Sequence, residues 1–154
     1  MADQLKFMMG EFEAEFPLDR SYCANHMWAQ SVDNDPSLFR FGFTAYAVRL
    51  LQDVYFLDWL VDAPTALGEK QEFGSIESKK AESALYAPAP GELLRFNDEL
   101  MSDPSAINVD KYGDGWLFEM TISMDGLMSG QQYVDHLEGV WQKTQRTIKG
   151  QMNE

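Results

Sequence analysis

Turn-forming residues recur through the middle of this chain of 154 residues and divide it into segments that are too short for long helices. The clearest interruptions are Asn-Asp-Pro at 34–36, Gly74, and Pro-Ala-Pro-Gly at 88–91. Glycine, asparagine and proline favour turns because each fits backbone angles that turns require. Several short strands between such turns predict a mainly β fold, either a small sandwich or a barrel.

The predicted elements follow one another along the chain. Aromatic-rich stretches on both sides of 34–36 predict a β-hairpin over residues 22–43. Thr44 is a suitable helix cap and predicts a short helix through Leu51. Residues 53–60 are rich in β-branched and aromatic side chains and predict a buried strand. The remaining predictions are strand, polar tip and strand over 69–94, a helical turn at 97–100, a tight turn at 112–115 and a last strand at 116–122.

Helices are predicted at both ends. Five apolar residues at helical spacing predict an N-terminal helix that ends at Pro17; they are Leu5, Met8, Met9, Phe12 and Phe16. Ser129 and Gln132 match a Ser-x-x-Gln capping box. An apolar stripe then predicts a long C-terminal helix up to Gly150; it comprises Tyr133, Leu137, Val140, Trp141, Thr144 and Ile148. The predicted fold class is therefore mainly β with N-terminal and long C-terminal helices.

The chain is acidic, with a formal net charge of −13. All of the excess lies before residue 131, because residues 131–154 contain three residues of each sign. Such a field repels phosphate backbones and anionic lipids and favours basic protein surfaces. We therefore expect no nucleic-acid partner, no membrane partner, and protein partners instead.

Composition indicates one folded domain, and the cysteine count agrees with a reducing compartment. A hydrophobic fraction of 45% is typical of a globular protein, and no apolar run approaches the roughly 20 residues of a membrane span. The N-terminus is too acidic for a signal peptide. Cys23 is the single cysteine, so no internal disulfide can form. We expect a cytoplasmic monomer.

Residues that could carry out catalysis are few. The two histidines are His26 and His136, and Cys23-x-x-His26 lacks the spacing of a four-ligand zinc site. A cysteine nucleophile with a histidine base is conceivable, but such pairs normally come from distant segments. A buried inert thiol and a structural histidine are the simpler interpretations. Glycine-rich phosphate loops are absent from the sequence. We expect no metal site and no nucleotide chemistry.

The polar tip between two predicted strands reads Glu-Ser-Lys-Lys-Ala-Glu-Ser at 77–83. On this pattern alone, the lysines of a hairpin tip are usually solvated and have no further role. The wider segment 73–81, Phe-Gly-Ser-Ile-Glu-Ser-Lys-Lys-Ala, is similar to the lipoylation segment of glycine cleavage system H proteins. In that family a Gly-Ser-x-Glu-Ser-x-Lys-Ala run carries the modified lysine, and Lys80 takes its position.

The resemblance to the glycine cleavage H-protein family extends over roughly residues 22–137. The other matches are Tyr22, His26 and Trp28, which fit a Tyr-x-x-x-His-Glu-Trp opening, then Gly42-Phe43-Thr44, Tyr86-Ala87-Pro88, Gly91-Glu92, residues 97–100 and residues 108–116. The resemblance implies a hybrid barrel-sandwich related to lipoyl and biotinyl domains. Residues 21–125 would form the lipoyl-carrier domain, with residues 1–20 as an N-terminal helical extension and residues 126–154 as a C-terminal helix packed on the same domain.

The resemblance implies lipoate attached covalently to Lys80, with Glu77, Ser78 and Ala81 as the rest of the attachment motif. A tethered dithiolane visits partner sites at high effective concentration, so the protein would be a carrier with no catalytic site of its own. A lipoate ligase or lipoyl transferase would modify it. Biotin is the competing cofactor for a hairpin lysine, but biotinyl domains resemble a Met-Lys-Met tip, whereas Lys80 lies between Lys79 and Ala81.

The sequence departs from the family at positions that would contact the group carried by the lipoyl arm, which is called the load below. In glycine cleavage H proteins the loaded arm ends in an aminomethyl ammonium that folds back into a cleft, where carboxylates are thought to hold it. The Glu of the His-Glu-Trp opening is Met27 here, and the Asp usually found four residues after the lipoyl lysine is Ala84. Together with Cys23 and His26, these two positions are our candidates for residues of the arm cleft.

Three interpretations of the load follow. The first is a carrier resembling lipoate-binding proteins of the bacterial sulfur-oxidising, heterodisulfide-reductase-like system, with that complex and dihydrolipoamide dehydrogenase as partners; a dithiol suits the transfer of sulfur or electrons. The second is a glycine cleavage H protein that carries an aminomethyl group and has diverged. The third is an unlipoylated binding domain. On the evidence of Met27 and Ala84, the sequence favours the first.

Overall fold

The computed structural model of the protein describes residues 4–32 and 34–152, with the backbone alone at 124 and 144–152. In these residues the strands are β1 (Gln4–Met9), β2 (Phe12–Pro17), β3 (Ser21–Tyr22), β4 (Met27–Val32), β5 (Asp35–Phe43), β6 (Val54–Trp59), β7 (Thr65–Leu67), β8 (Glu72–Ser78), β9 (Glu82–Tyr86), β10 (Gly91–Phe96) and β11 (Phe118–Ile122). The helices are α1 (Ala45–Leu51), α2 (Glu99–Ser102), α3 (Ala106–Val109) and α4 (Gly130–Met152). Strands predominate, so the mainly β fold class is confirmed.

Two sheets enclose the main core. The larger has the strand order β3-β4-β5-β11-β10-β7, and the smaller has the order β6-β8-β9. The ring of Phe118 in the larger sheet stacks on Phe41, with 5.0 Å between centroids, and meets Phe73 of the smaller sheet edge-on at the same distance. Because the two sheets bury aromatic side chains against each other, the smaller sheet and its β8–β9 hairpin are held firmly.

The N-terminal segment forms a β-hairpin, so the predicted N-terminal helix is wrong. β1 and β2 pair antiparallel beside Gly10, whose φ of 66° suits glycine. Met8 is 50% exposed, and the buried residues alternate; they are Phe7, Met9, Ala14 and Phe16. The five apolar residues used for the helix prediction do have a helical spacing, but burial that alternates on both sides of a glycine turn is the pattern of a hairpin. The extension predicted over residues 1–20 is not helical where the structure describes it.

A second core joins this hairpin to the helices. Phe16 packs edge-on against Tyr22 and Tyr133, whose own rings are stacked with 5.0 Å between centroids. Phe7 contacts Tyr46 of α1. The hairpin therefore braces α1 and α4 from one side, and α1 in turn lines the cleft described below.

Both predicted helix caps form. The Thr44 hydroxyl accepts a hydrogen bond from the Ala47 N–H at the start of α1. At α4, the Gln132 N–H donates to the Ser129 hydroxyl at 3.2 Å, and the Ser129 N–H donates to the Gln132 side chain at 2.8 Å. This reciprocal pair is a capping box. The predicted short helix and the long C-terminal helix are confirmed.

The apolar stripe of α4 faces the second core. Tyr133 and Leu137 are fully buried, and Val140 and Trp141 are partly buried against the same cluster. The predicted stripe also included Thr144 and Ile148, whose side chains lie outside the described residues.

β6 is half exposed, which corrects the prediction of a buried strand at 53–60. A bulge between Val54 and Phe56 leaves Tyr55 and Phe56 both outside, 62% and 47% exposed, while Leu57 lies in the core. The short helix α3 was not predicted, because four residues contain too little periodicity to recognise.

An ion triad centred on a buried carboxylate lies across the larger sheet. Glu119 of β11 is 1% exposed and lies opposite Arg40 of β5 on one side and Arg95 of β10 on the other. Each arginine donates its Nε–H to a different oxygen of this carboxylate, Arg40 at 2.8 Å. The guanidinium of Arg40 also lies 4.3 Å above the Trp116 ring. Two partners therefore compensate a charge that would be costly to bury alone.

None of the helices in the described part of the chain combines the length and the apolar character needed to cross a membrane.

Candidate functional site

The polar tip predicted at 77–83 closes the β8–β9 hairpin. β8 pairs with β6 on one side and with β9 on the other, where Glu77 lies opposite Glu82 and Glu72 opposite Tyr86. The hairpin is thus anchored in the smaller sheet, and the prediction of strand, tip and strand is confirmed. Lys79, Lys80 and Ala81 are exposed at its end.

Ser78 fixes the conformation of the tip. Its side chain is 4% exposed, and its hydroxyl accepts hydrogen bonds from the N–H groups of Lys80 and Ala81 at 3.3 and 3.1 Å. The same hydroxyl donates to the Ala81 carbonyl at 3.2 Å, and the Ser78 N–H donates to that carbonyl at 2.8 Å. One buried serine therefore organises the backbone of the whole turn.

The two lysines of the tip have different backbone partners. The Lys79 N–H donates to the Asp53 carbonyl at 2.8 Å, which ties Lys79 to the chain just before β6. The Lys80 N–H donates to the Ser78 hydroxyl inside the turn. Lys79 thus extends the sheet, whereas Lys80 belongs to the turn that projects from it.

The glycine of the motif serves packing. A Cβ atom on Gly74 would lie 2.7 Å from the Trp59 ring and 2.9 Å from the Asp58 carbonyl. Any side chain would push β6 away from β8, so this position keeps the two strands at pairing distance.

A cleft of about 280 Å³ runs beside β9, and its nearest lining residue lies three positions after Lys80. Its walls come from the residues before and at the start of β4, from the end of β5, from α1, and from β8 and β9. The residues that set its chemistry are Asn25, His26, Met27, Ser83, Ala84 and Tyr86. Within the described chain, the lining contains no Asp and no Glu. The structure therefore brings together His26, Met27 and Ala84, three of the four predicted cleft residues.

The contribution of α1 to this cleft was missed. Ala47, Leu50 and Leu51 line it, while Ala45 and Tyr46 face the second core on the other side of the helix. The sequence did contain a sign of this contribution, because the seven residues of α1 are apolar on two opposite faces. Such a helix must be covered by other parts of the protein on both faces.

His26 is held in the cleft wall by a hydrogen-bond chain. Its Nδ1 lies 2.9 Å from the Tyr133 hydroxyl of α4, which lies 2.9 Å from the Thr44 hydroxyl. The Tyr46 ring covers the imidazole, with 4.6 Å between centroids. Burial, with a smaller contribution from the charge of His136, lowers the pKa of His26 to about 4. The imidazole is therefore neutral at neutral pH.

Cys23, the fourth predicted cleft residue, is not among the residues that line the cleft. Its side chain is 3% exposed, and burial raises the pKa of its thiol to about 12. A protonated, inaccessible thiol is a poor nucleophile, which argues against catalysis by Cys23 with His26. Among the described residues, no group of three or more His, Cys, Asp or Glu could hold a metal ion.

Comparison of the sequence with known proteins identifies relatives of this chain. The family model described as glycine cleavage H-protein matches residues 20–140. A glycine cleavage system H protein of Mycolicibacterium gilvum is 41% identical over 107 residues, which are 70% of this chain and 79% of the relative. A probable glycine cleavage system H protein of Natronomonas pharaonis is 38% identical over 122 residues, which are 77% of this chain and 94% of the relative.

A solved structure gives the same result. The crystal structure of a glycine cleavage system H protein from Mycobacterium marinum superposes with a TM-score of 0.69 at 31% identity, and the match covers 80% of this chain and 99% of that one. Residues 20–140, which the family model matches, include the tip with Lys80 and the described residues that line the cleft. The chain belongs to the glycine cleavage H-protein family.

Proposed function

We propose that this protein is a lipoyl carrier whose arm is attached to Lys80 and which serves in glycine cleavage. Proteins of its family carry lipoate covalently on a lysine and are carriers, not catalysts. The cofactor supplies a dithiol that can accept and release a load. The chain itself has to present the amine to a lipoate ligase or lipoyl transferase and to shelter the arm between partner enzymes.

The observation that carries this proposal is an exposed lysine beside an apolar cleft. The four residue steps from Lys80 through the turn and into β9 as far as Ala84 span at most about 13 Å. A lysine with a lipoyl amide has roughly eleven bonds from Cα to the dithiolane ring, which extend to about 14 Å. An arm on Lys80 can therefore lie along β9 and bring its sulfur atoms to the cleft, whose mostly apolar lining fits a hydrocarbon chain and a dithiolane.

Family membership favours an aminomethyl group as the load, with the other glycine cleavage enzymes and dihydrolipoamide dehydrogenase as partners. The relatives described above are named as H proteins of that system. The acidic surface of the chain, with a net charge of −13, supports docking to basic surfaces on such partners.

A second candidate is a carrier of sulfur or electrons for a heterodisulfide-reductase-like complex. The observation that favours it is the chemistry of the cleft, where Met27 and Ala84 stand in place of carboxylates. An ammonium in that cleft would lack a counter-charge, which is costly in an apolar setting. A sulfur load is neutral or anionic and needs no carboxylate.

A glycine cleavage assay separates the two loads. Lipoylated protein is supplied to the other glycine cleavage enzymes, beside a known H protein and at one salt concentration, because charge steering is screened by salt. Glycine cleavage predicts turnover comparable with that of the known H protein. Turnover lower by a factor of ten or more, with the chain fully lipoylated by mass, would favour the sulfur carrier.

The double variant Met27→Glu, Ala84→Asp is the matched control. It restores both carboxylates at the cleft, each a possible partner for an ammonium. A sulfur carrier should gain aminomethyl transfer from this change, whereas a glycine cleavage carrier should change little. One outcome is a gain of activity and the other is no change, so partial activity of the wild type can still be interpreted.

A further inference from the structure

The proton of His26 can be located from the hydrogen-bond chain that holds this residue. Four groups take part: the Ala47 N–H, the Thr44 hydroxyl, the Tyr133 hydroxyl and Nδ1 of His26. Each hydroxyl has one proton to donate. The backbone N–H at one end can only donate, and the burial of Thr44 decides the direction of the remaining bonds, because the proton of a buried hydroxyl needs an acceptor.

The direction runs from Thr44 towards His26. As the cap of α1, the Thr44 oxygen accepts from the Ala47 N–H, and its own proton has the Tyr133 oxygen as acceptor. Tyr133 then donates to Nδ1 of His26 at 2.9 Å. The opposite direction would leave the Thr44 proton without an acceptor among the described residues, although Thr44 is fully buried.

A neutral histidine that accepts at Nδ1 carries its proton on Nε2. Tyr133 keeps its own proton, because burial raises the pKa of its hydroxyl far above the ordinary value. The titratable groups that face the imidazole are Tyr46 on α1 and Tyr133 and His136 on α4. Nδ1 is occupied by Tyr133, so Nε2 is left as a donor in a residue that lines the cleft.

We propose that His26 is a positioning residue that donates its Nε2–H to a sulfur atom of the reduced lipoyl arm and thereby lowers the pKa of that thiol. This role rests on the proposed function, since it requires lipoate on Lys80. A hydrogen bond to a thiolate stabilises the charged form, which an apolar cleft would otherwise disfavour. The other polar side chains of the described lining, those of Asn25, Ser83 and Tyr86, are uncharged. The imidazole of His26, in contrast, has an N–H donor whose position is fixed by a buried series of hydrogen bonds.

The orientation of the ring is tested on unlipoylated protein. Nitrogen-15 NMR of the imidazole distinguishes a protonated from an unprotonated ring nitrogen. We expect the Nε2–H form at neutral pH in the wild type, and a mixture of both forms in Tyr133→Phe, which lacks the donor to Nδ1. A wild-type ring protonated on Nδ1 would overturn the proposal, whatever the state of Lys80.

The effect on the arm is tested by alkylation of the reduced, lipoylated protein with iodoacetamide over a range of pH. His26→Gln places an amide N–H near the position of Nε2, whereas His26→Asn reaches only the position of Nδ1. The left-handed φ of 68° at this residue is well tolerated by asparagine. We expect His26→Asn to raise the apparent thiol pKa by about one unit, which slows alkylation about tenfold below that pKa, and His26→Gln to stay close to the wild type.

Controls separate this role from the proposed function. Intact mass establishes lipoylation before each measurement, and Lys80→Arg measures any background from Cys23. Circular dichroism establishes that each variant is folded, and His136→Gln tests whether the neighbouring ring contributes. Equal thiol pKa values in wild type, His26→Asn and His26→Gln would overturn the donor role while leaving the carrier intact. An unmodified Lys80 would overturn the carrier and the donor role together.

Discussion

The hairpins β1–β2 and β8–β9 are both short antiparallel pairs with alternating buried and exposed residues, but they are held at opposite places. β1–β2 is held by its face and strand ends: Phe16 is fully buried, and the hydroxyls of Tyr22 and Tyr112 donate to the Pro17 and Glu15 carbonyls. Its tip is open, and nothing lies within 4 Å of where a Cβ on Gly10 would be.

β8–β9 is fixed at the tip as well as in the sheet. Ser78 closes its turn with three hydrogen bonds of its hydroxyl, and the Lys79 N–H is tied to Asp53. The side chain of Lys80 is nevertheless exposed. We infer from this difference that β1–β2 contributes mainly to stability, whereas β8–β9 presents a residue for modification. Substitutions should therefore separate the two properties cleanly.

The largest effect is expected at the tip of β8–β9 and should concern modification alone. Lys80→Arg should abolish lipoylation by a lipoate ligase, because it removes the acylated amine. The free energy of unfolding should change by less than about 0.5 kcal/mol, as for other exposed residues. Peptide mass mapping and urea denaturation measure the two quantities. Lys79→Arg is the matched control and should remain fully lipoylated; modification that persists in Lys80→Arg contradicts the assignment.

The face of β1–β2 should show the opposite behaviour. Phe16→Ala removes a fully buried ring that contacts Tyr22 and Tyr133, so it should lower the free energy of unfolding by about 3–5 kcal/mol. Met8→Ala on the exposed face of the same hairpin should cost less than about 0.5 kcal/mol. Urea denaturation of both variants tests this. Similar losses for the two would mean that the hairpin is not braced through its buried face.

His26 lies where the two regions meet, and it should make stability depend on pH. Its pKa of about 4 in the folded protein is below the 6.5 of an ordinary histidine, so the unfolded chain takes up the proton first. Stability is therefore full above pH 6.5 and falls as the pH decreases towards 4, by about 2–3 kcal/mol from this residue.

Denaturation at several pH values measures that loss, with His26→Gln as the reference. Asp19 and Asp35 have lowered pKa values because of hydrogen bonds from Arg20 and Ser37, and they add a loss of their own in acid. The difference between wild type and variant isolates the histidine. A slope between pH 7 and pH 4 that is identical in both proteins would show that His26 is not held neutral.

The smallest effect sharpens the comparison, because it links the fixed tip to modification. Ser78→Ala removes the buried hydroxyl that organises the turn and should cost about 1–2 kcal/mol. Lipoylation should also become slower, since the backbone that presents Lys80 is no longer fixed. The rate of mass increase with a lipoate ligase is the readout. Ser83→Ala, an exposed serine of the same hairpin, should leave both quantities unchanged.

A structural feature could be predicted from the sequence when the residues that interact to form it are close together in the chain. The caps at Thr44 and Ser129 and the turn at 77–83 were predicted because their residues interact within four positions of one another. The N-terminal hairpin was mistaken for a helix, because Leu5, Met9 and Phe12 satisfy both periods. The partners that decide the matter, on α1 and α4, are distant in the sequence.

The candidate site shows the same division. Lys80 and its motif could be named because they are contiguous, and His26, Met27 and Ala84 because they occupy recognisable positions. Cys23 was named as a thiol that could face the arm, but it is buried and is not among the residues that line the cleft. The roles of Tyr133 and Thr44 could not be foreseen, because a hydrogen bond between residues 26 and 133 leaves no periodic signal.

The triad around Glu119 also restricts how the larger sheet can assemble. In the native register, Glu119 lies opposite Arg40 on one neighbouring strand and Arg95 on the other. If β5 or β10 slipped by one residue relative to β11, the carboxylate would no longer lie opposite one of its two arginines. A buried carboxylate that lacks one of its cationic partners is strongly unfavourable. Mispaired intermediates are therefore penalised on both sides of β11 at once. The single carboxylate of Glu119 thus favours the native order and register of three strands over their alternatives.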